Sequence, residues 1–94
     1  MMKFPFRDSP NTAVITCAHV LEEDNPIMYI THDEDDGMWQ FLCGGLHTEE
    51  DARVVSLYEM FACDRSVAEV ANMPLGFVAE RSEPDTAWII RRRR

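Results

Sequence analysis

The stretch that most restricts the fold is IMYITHDEDDGMWQFLC, residues 27–43. Two runs rich in β-branched and aromatic residues, Ile27–His32 and Met38–Cys43, flank a polar bridge, Asp33–Gly37. Such residues favour extended backbone. A short bridge ending in Asp-Gly favours reversal into an antiparallel hairpin. The period of two places Trp39, Phe41 and Cys43 on one face and Met38, Gln40 and Leu42 on the other. The first set is the better core face, and Gly44-Gly45 ends the strand with backbone freedom.

The flanking sequence supplies partners for this hairpin. Residues 1–12 read as an irregular lead-in broken by Pro5, Pro10 and Asn11. Ala13–Cys17 is a short β-rich run. His19–Asp24 has room for one helical turn before Asn25-Pro26 stops it. Thr48-Glu49-Glu50-Asp51 suits a capped turn with acids at the positive end of the helix dipole, and Arg53–Val55 a brief strand. Ser56-x-x-Glu59 is a capping box followed by Leu57, Met60 and Phe61 at helical spacing. Ser66-x-x-Glu69 repeats the pattern, with Asp64 at the joint and Pro74 closing the second helix. Leu75–Arg81 and Ala87–Arg91 read as strands around the turn Ser82–Thr86. The expected class is α+β: one mostly antiparallel sheet of five or six short strands, with two or three short helices packed on one face.

Ninety-four residues suit a single domain, with the lead-in, a globular core over 13–90 and a basic tail, Arg91–Arg94. A hydrophobic share of 46% is enough for a packed core and too high for a disordered chain. No apolar run approaches the roughly 18 residues of a membrane span, and MMKFPFRDSPNT lacks the apolar centre of a signal peptide. Three cysteines, Cys17, Cys43 and Cys63, without a CxxC pair suit free thiols in a reducing compartment. The expected address is the cytoplasm. The net charge is −8; apart from the four terminal arginines, five bases face seventeen acids. That balance repels phosphate backbones and disfavours nucleic-acid binding. It favours solubility or a basic protein partner. The tail itself reads as a frayed, solvated end.

Four kinds of site come into question against this background. The loop Asp33-Glu34-Asp35-Asp36 is rich in oxygens, but its register fails the calcium-loop pattern: the closing Glu position falls on Gly44. Asp and Gly also suit a plain tight turn. Cys17-x-His19 and Cys43-x3-His47 offer zinc-type ligands, with His32 a fifth, yet neither spacing is the usual pair of a zinc site. Cys in an apolar strand is more often a small hydrophobe. No G-x-S-x-G, HExxH, P-loop or GxGxxG is present, and no constellation suggests a catalytic residue or a cofactor. Finally, Glu22-Glu23-Asp24, Asp33–Asp36 and Glu49-Glu50-Asp51 hold ten of the seventeen acids. If those loops gather at one end of the sheet, they form a negative rim able to steer a basic partner, with Trp39, Tyr29, Tyr58 or Trp88 as an aromatic anchor.

The order Val20-Leu21, Pro26-Ile27-x-Tyr29, Asp36-Gly37-x-Trp39-x-Phe41-x-x-Gly44, Val54-Val55-x-Leu57, Asp64 and Pro74-x-Gly76-x-x-Ala79-x-Arg81 resembles a bacterial family of unknown function, the immunity-protein-33-like domains. The likeness spans roughly residues 13–90. Many members carry a longer, Arg-containing loop before the Trp; here it is short and wholly acidic. The resemblance implies a compact α+β domain with no catalytic residues to carry over, and some relatives are linked with toxin systems in which they would bind and neutralise a toxin. The leading expectation is therefore a non-enzymatic binding domain that covers a basic partner such as a toxin, through Glu22, Glu23, Asp33, Glu34, Asp35, Asp36 and Trp39. One alternative is a metal-binding domain or small metal-dependent enzyme using Cys17, His19, Cys43 and His47. Another is a structural homodimer through an edge strand near Leu75–Arg81.

Overall fold

The hairpin forms and becomes the middle of a six-stranded sheet. A computed structural model describes residues 4–45 and 48–93. The strands are β1 (Ala13–Cys17), β2 (Tyr29–His32), β3 (Trp39–Leu42), β4 (Ala52–Ser56), β5 (Phe77–Glu80) and β6 (Ile89–Arg92), in the spatial order β4-β1-β3-β2-β5-β6. Helix α1 (Ala18–Glu22) follows β1 directly, α2 (Leu57–Cys63) follows β4, and 3₁₀ segments cover Glu49–Asp51 and Arg65–Val70. The class is α+β, with an open, mixed sheet. All neighbours are antiparallel except β1 and β3, which run parallel with Ile15 beside Gln40 and Thr16 beside Phe41.

The period of two holds where it was read. Trp39 and Phe41 are buried, and Ile30 lies opposite Phe41 in the ladder. They share the core with Leu57, Met60 and Phe61 of α2 and with Val67 and Val70 of the following 3₁₀ segment. Burial of this order, at about 25 cal/mol per Å² of apolar area, is the main favourable contribution to folding. The lead-in is irregular but not idle. Phe6 packs edge-on against Trp39 with ring centroids 5.2 Å apart. The carbonyls of Thr12 and Pro10 accept from Leu57 N and Tyr58 N at 2.8 and 3.0 Å, satisfying amides that a helix start leaves without internal partners.

The first capping box forms as written: Glu59 N donates to Ser56 Oγ at 3.1 Å and Ser56 N donates to Glu59 Oε1 at 3.2 Å. The second does not. Asp64 takes the cap, accepting from Ser66 N at 2.9 Å, and starts the 3₁₀ segment two residues earlier than expected. Ser66 is thereby released for another role: its hydroxyl accepts from Arg81 Nη1 at 3.0 Å and from Trp88 Nε1 at 3.3 Å.

Two further expectations are corrected. The basic tail does not begin at Arg91. Arg91 and Arg92 belong to β6, opposite Val78 and Phe77, and Arg93 N donates to Gly76 O at 2.8 Å. Backbone pairing is indifferent to side-chain charge on an exposed edge, so the run of arginines does not end the strand; Arg94 lies outside the described residues. The segment Leu75–Arg81 does not supply an edge either. Its strand, β5, pairs with β2 on one side and β6 on the other. The edges are β4 and β6, so the homodimer expected through β5 has no free backbone to pair with.

Candidate metal centre

The parallel pair β1–β3 decides where the chemistry gathers. Because the two strands run the same way, their C-terminal ends lie together. Cys17 closes β1 and His19 stands in the first turn of α1, while Cys43 follows β3. The Sγ atoms of Cys17 and Cys43 and a ring nitrogen of His19 all lie within 4.8 Å of one another, and Cys43 Sγ stands 3.8 Å from His19 Nδ1. Cys17 is buried; Cys43 and His19 are half-buried. His47, the fourth residue of the expected set, lies outside the described residues. His32 is elsewhere: its ring stacks on Trp39 at 3.9 Å and its Nδ1 donates to Met73 O at 2.8 Å.

The backbone after Cys43 is shaped around its sulfur. Gly44 has a φ of +82°, a conformation that a side chain would strain, and a Cβ there would meet Met28 Cβ at 3.3 Å. That turn brings Gly45 N–H onto Cys43 Sγ at 3.4 Å. Burial raises the Cys43 thiol pKa and contact with the Cys17 thiol adds to the rise, while the Gly45 amide, which favours the thiolate, opposes it. Cys43 also lines a groove of about 520 Å³ with Met28, Tyr29, Leu42, Glu80 and Arg81.

Arg81 braces this end of the molecule. Its side chain is buried, donating from Nε and Nη2 to Ile27 O at 3.1 and 2.8 Å, from Nη2 to Asp64 Oδ2 at 2.7 Å and from Nη1 to Ser66 Oγ. Its guanidinium lies 4.1 Å from the Trp88 ring centroid. Burial works to raise the Asp64 pKa, but hydrogen bonds from Ser66 and Arg81 outweigh it and hold the carboxyl below the usual range.

The acidic segments divide between the two ends of the sheet, which corrects the expectation of one negative rim. Glu22 and Glu23 follow β1 at the end of α1. Glu49–Asp51 precede β4, whose Ala52 stands opposite Cys17. Both groups therefore sit at the cysteine end. Asp33–Asp36 join β2 to β3 at the opposite end. Glu22 is paired with Arg53 at 2.7 Å. In the hairpin, Asp33 O accepts from Gly37 N at 2.9 Å and Asp36 Oδ1 accepts from Met38 N at 3.0 Å, so these acids build the turn. Asp33 also accepts from Gln40 Nε2 at 2.6 Å and from Arg93 Nη1 at 3.2 Å. Trp39 is only 1% exposed; its ring belongs to the core and cannot serve as a contact anchor.

Sequence spacing pointed away from a zinc site because it measures ligand pairs along one segment. Here the three donors come from the ends of two strands and the first turn of α1, and the pairing of those strands has no local signal. The Gly45 amide was missed altogether, although Cys-x-Gly is the local pattern that permits a bond from residue i+2 to the sulfur. The chain matches no family model, no curated protein and no solved structure.

Proposed function

We propose that this protein is a small metal-binding domain that holds a transition-metal ion, zinc first, through Cys17, His19 and Cys43. The observation that carries the reading is the convergence of three donor atoms within 4.8 Å from segments distant in sequence. Two sulfurs and an imidazole suit zinc and other borderline or soft ions, and suit magnesium or calcium poorly. The Gly45 N–H on Cys43 Sγ supports it, since outer hydrogen bonds orient thiolates and favour their charged form. The acids at the same end add a field that attracts cations. A bound ion would tie α1 to the end of β3 and so stabilise the fold. The test is metal analysis of reduced protein after zinc loading and dialysis. One zinc per chain, lost in Cys17→Ser and in Cys43→Ser, is the expected result. Zinc-free protein with an unchanged melting temperature would remove the reading.

A second reading keeps a basic partner, such as a toxin, but confines it to the hairpin end. There Asp33, Glu34, Asp35 and Asp36 line a groove of about 600 Å³ into which Arg93 reaches, its guanidinium on Asp33 at 3.2 Å. A guanidinium from a partner would compete for the same carboxylate. Pull-down with the unchanged chain and with Asp35→Lys/Asp36→Lys separates the cases: loss of a captured basic protein in the variant favours this reading, and equal capture speaks against it.

A further inference from the structure

The two sulfurs of the centre bear on each other as well as on a metal. Cys17 closes β1 and Cys43 follows β3, its parallel neighbour, and their Sγ atoms lie within 4.8 Å of each other. From that separation the two sulfurs must approach to about 2.05 Å for a disulfide to form. The two residues differ in access. Cys43 lines an open groove, whereas Cys17 is 1% exposed. This asymmetry gives one sulfur that an oxidant reaches and one placed to resolve the product.

We propose that Cys17 and Cys43 form a redox lock on the metal site: a hydroperoxide converts the two thiols to a disulfide, and the disulfide form no longer holds the ion. The inference rests on the metal reading above. In the first step Cys43 gives up its thiol proton to solvent and the sulfur attacks one oxygen of hydrogen peroxide. The O–O bond breaks, a sulfenic acid forms at Cys43, and the departing hydroxide takes a proton and leaves as water. In the second step the Cys17 sulfur attacks the Cys43 sulfur. The S–S bond forms, the S–O bond breaks, and hydroxide leaves with the Cys17 proton as a second water. The thiol pair gives up two electrons, and the peroxide is reduced to two waters. Zinc coordination uses thiolates, so the same two sulfurs serve either the ion or the bond. His19 alone is too few ligands to retain it.

The test uses the full chain with the exposed Cys63 changed to serine, so that this thiol cannot enter mixed disulfides. Reduced, metal-free protein is first titrated with zinc against a chromophoric chelator. A second portion is treated with hydrogen peroxide and mapped by peptide mass, then titrated in the same way. A third is loaded with zinc before peroxide. The expected results are an internal Cys17–Cys43 linkage with the mass loss of two hydrogen atoms, zinc uptake reduced to that of Cys17→Ser, full recovery with a dithiol reductant, and slower thiol loss in the zinc-loaded portion. Zinc uptake by the reduced protein with peroxide giving only sulfenic or sulfinic acids, or a mapped disulfide form that still takes zinc, overturns the lock and leaves the metal reading standing. No zinc uptake by the reduced protein overturns both. Running the unsubstituted chain in parallel guards against a folding defect in the Cys63→Ser variant.

Discussion

The two ends of the sheet carry the same kind of promise in the sequence and differ in construction. At the hairpin end four acids stand in a row, and the turn is made by the Asp36 carboxylate and the Asp33 backbone carbonyl. At the other end the sulfur and imidazole donors are scattered along the sequence, yet Cys43 and His19, 24 residues apart, meet at 3.8 Å with Cys17 beside them. The hairpin end is held by one exposed-side pair, Arg93–Asp33 at 3.2 Å. The cysteine end is held by Arg81, whose side chain is 2% exposed and whose bonds join the Ile27 carbonyl to Asp64 and Ser66. Local density of charged residues thus describes a solvated turn. Convergence of separate segments under partial burial describes a site.

The largest effect should come from breaking that brace. Arg81→Ala takes the guanidinium from the buried Ile27 carbonyl and from Asp64, which keeps its bond from Ser66 N, and removes the cation that lies over the Trp88 ring. Removing one member of a buried pair costs about 3–5 kcal/mol, readable as a fall in the urea midpoint. The pair also has a pH signature. Asp64 is held below its usual pKa in the folded chain. Its contribution is therefore complete above the unfolded carboxyl value of about 3.9 and is lost as pH falls through the lower folded value. Asp64→Asn should flatten the acid side of the stability profile. An acid limb of unchanged steepness would show that the brace is not what holds this end together.

Next in size is the response to zinc. At a free concentration about 100 times Kd, a ligand confined to the native state adds about 2.7 kcal/mol. For a domain of this length that raises Tm by at least roughly 10 °C, at about 4–8 °C per kcal/mol. Changes to outer-shell partners already cost about 10–100-fold in metal affinity, so Cys17→Ser or Cys43→Ser should cost more than about 100-fold. Asp35→Lys/Asp36→Lys, at the far end, should leave the zinc shift intact. If the two kinds of variant change the shift equally, the distinction between the ends fails.

What the sequence made legible follows the range of the signal. The hairpin was readable because a period of two and an Asp-Gly turn are local, and Trp39 and Phe41 are buried as that period requires. Ser56-x-x-Glu59 was readable for the same reason. Ser66-x-x-Glu69 matched the same pattern and failed because Asp64, two residues earlier, caps the segment by accepting from Ser66 N, which places Ser66 inside it. Arg91 and Arg92 looked like a tail because charge was weighed and backbone pairing could not be. The long stems of arginine sit comfortably on an edge strand. The parallel β1–β3 contact has no local signature at all, and both the Cys17–His19–Cys43 cluster and the split of the acids between the two ends depend on it.

The smallest expected effect is the most direct comparison of the two ends. Arg93–Asp33 and Arg81–Asp64 are both arginine–carboxylate pairs, at 3.2 and 2.7 Å. The Arg93 side chain is 56% exposed against 2% for Arg81, so the cation of the hairpin pair is solvated even though Asp33, at 13%, is less exposed than Asp64, at 25%. An exposed pair is worth about 0–1 kcal/mol, and that much is screened once the Debye length shortens to about 3 Å near 1 M salt. Arg93→Ala should therefore lower stability by no more than about 1 kcal/mol in dilute buffer, with the difference vanishing in high salt. A loss comparable to Arg81→Ala, or one that persists in salt, would mean that the hairpin groove is a built site in its own right. The acids that line it would then have to be explained by a ligand rather than by a turn.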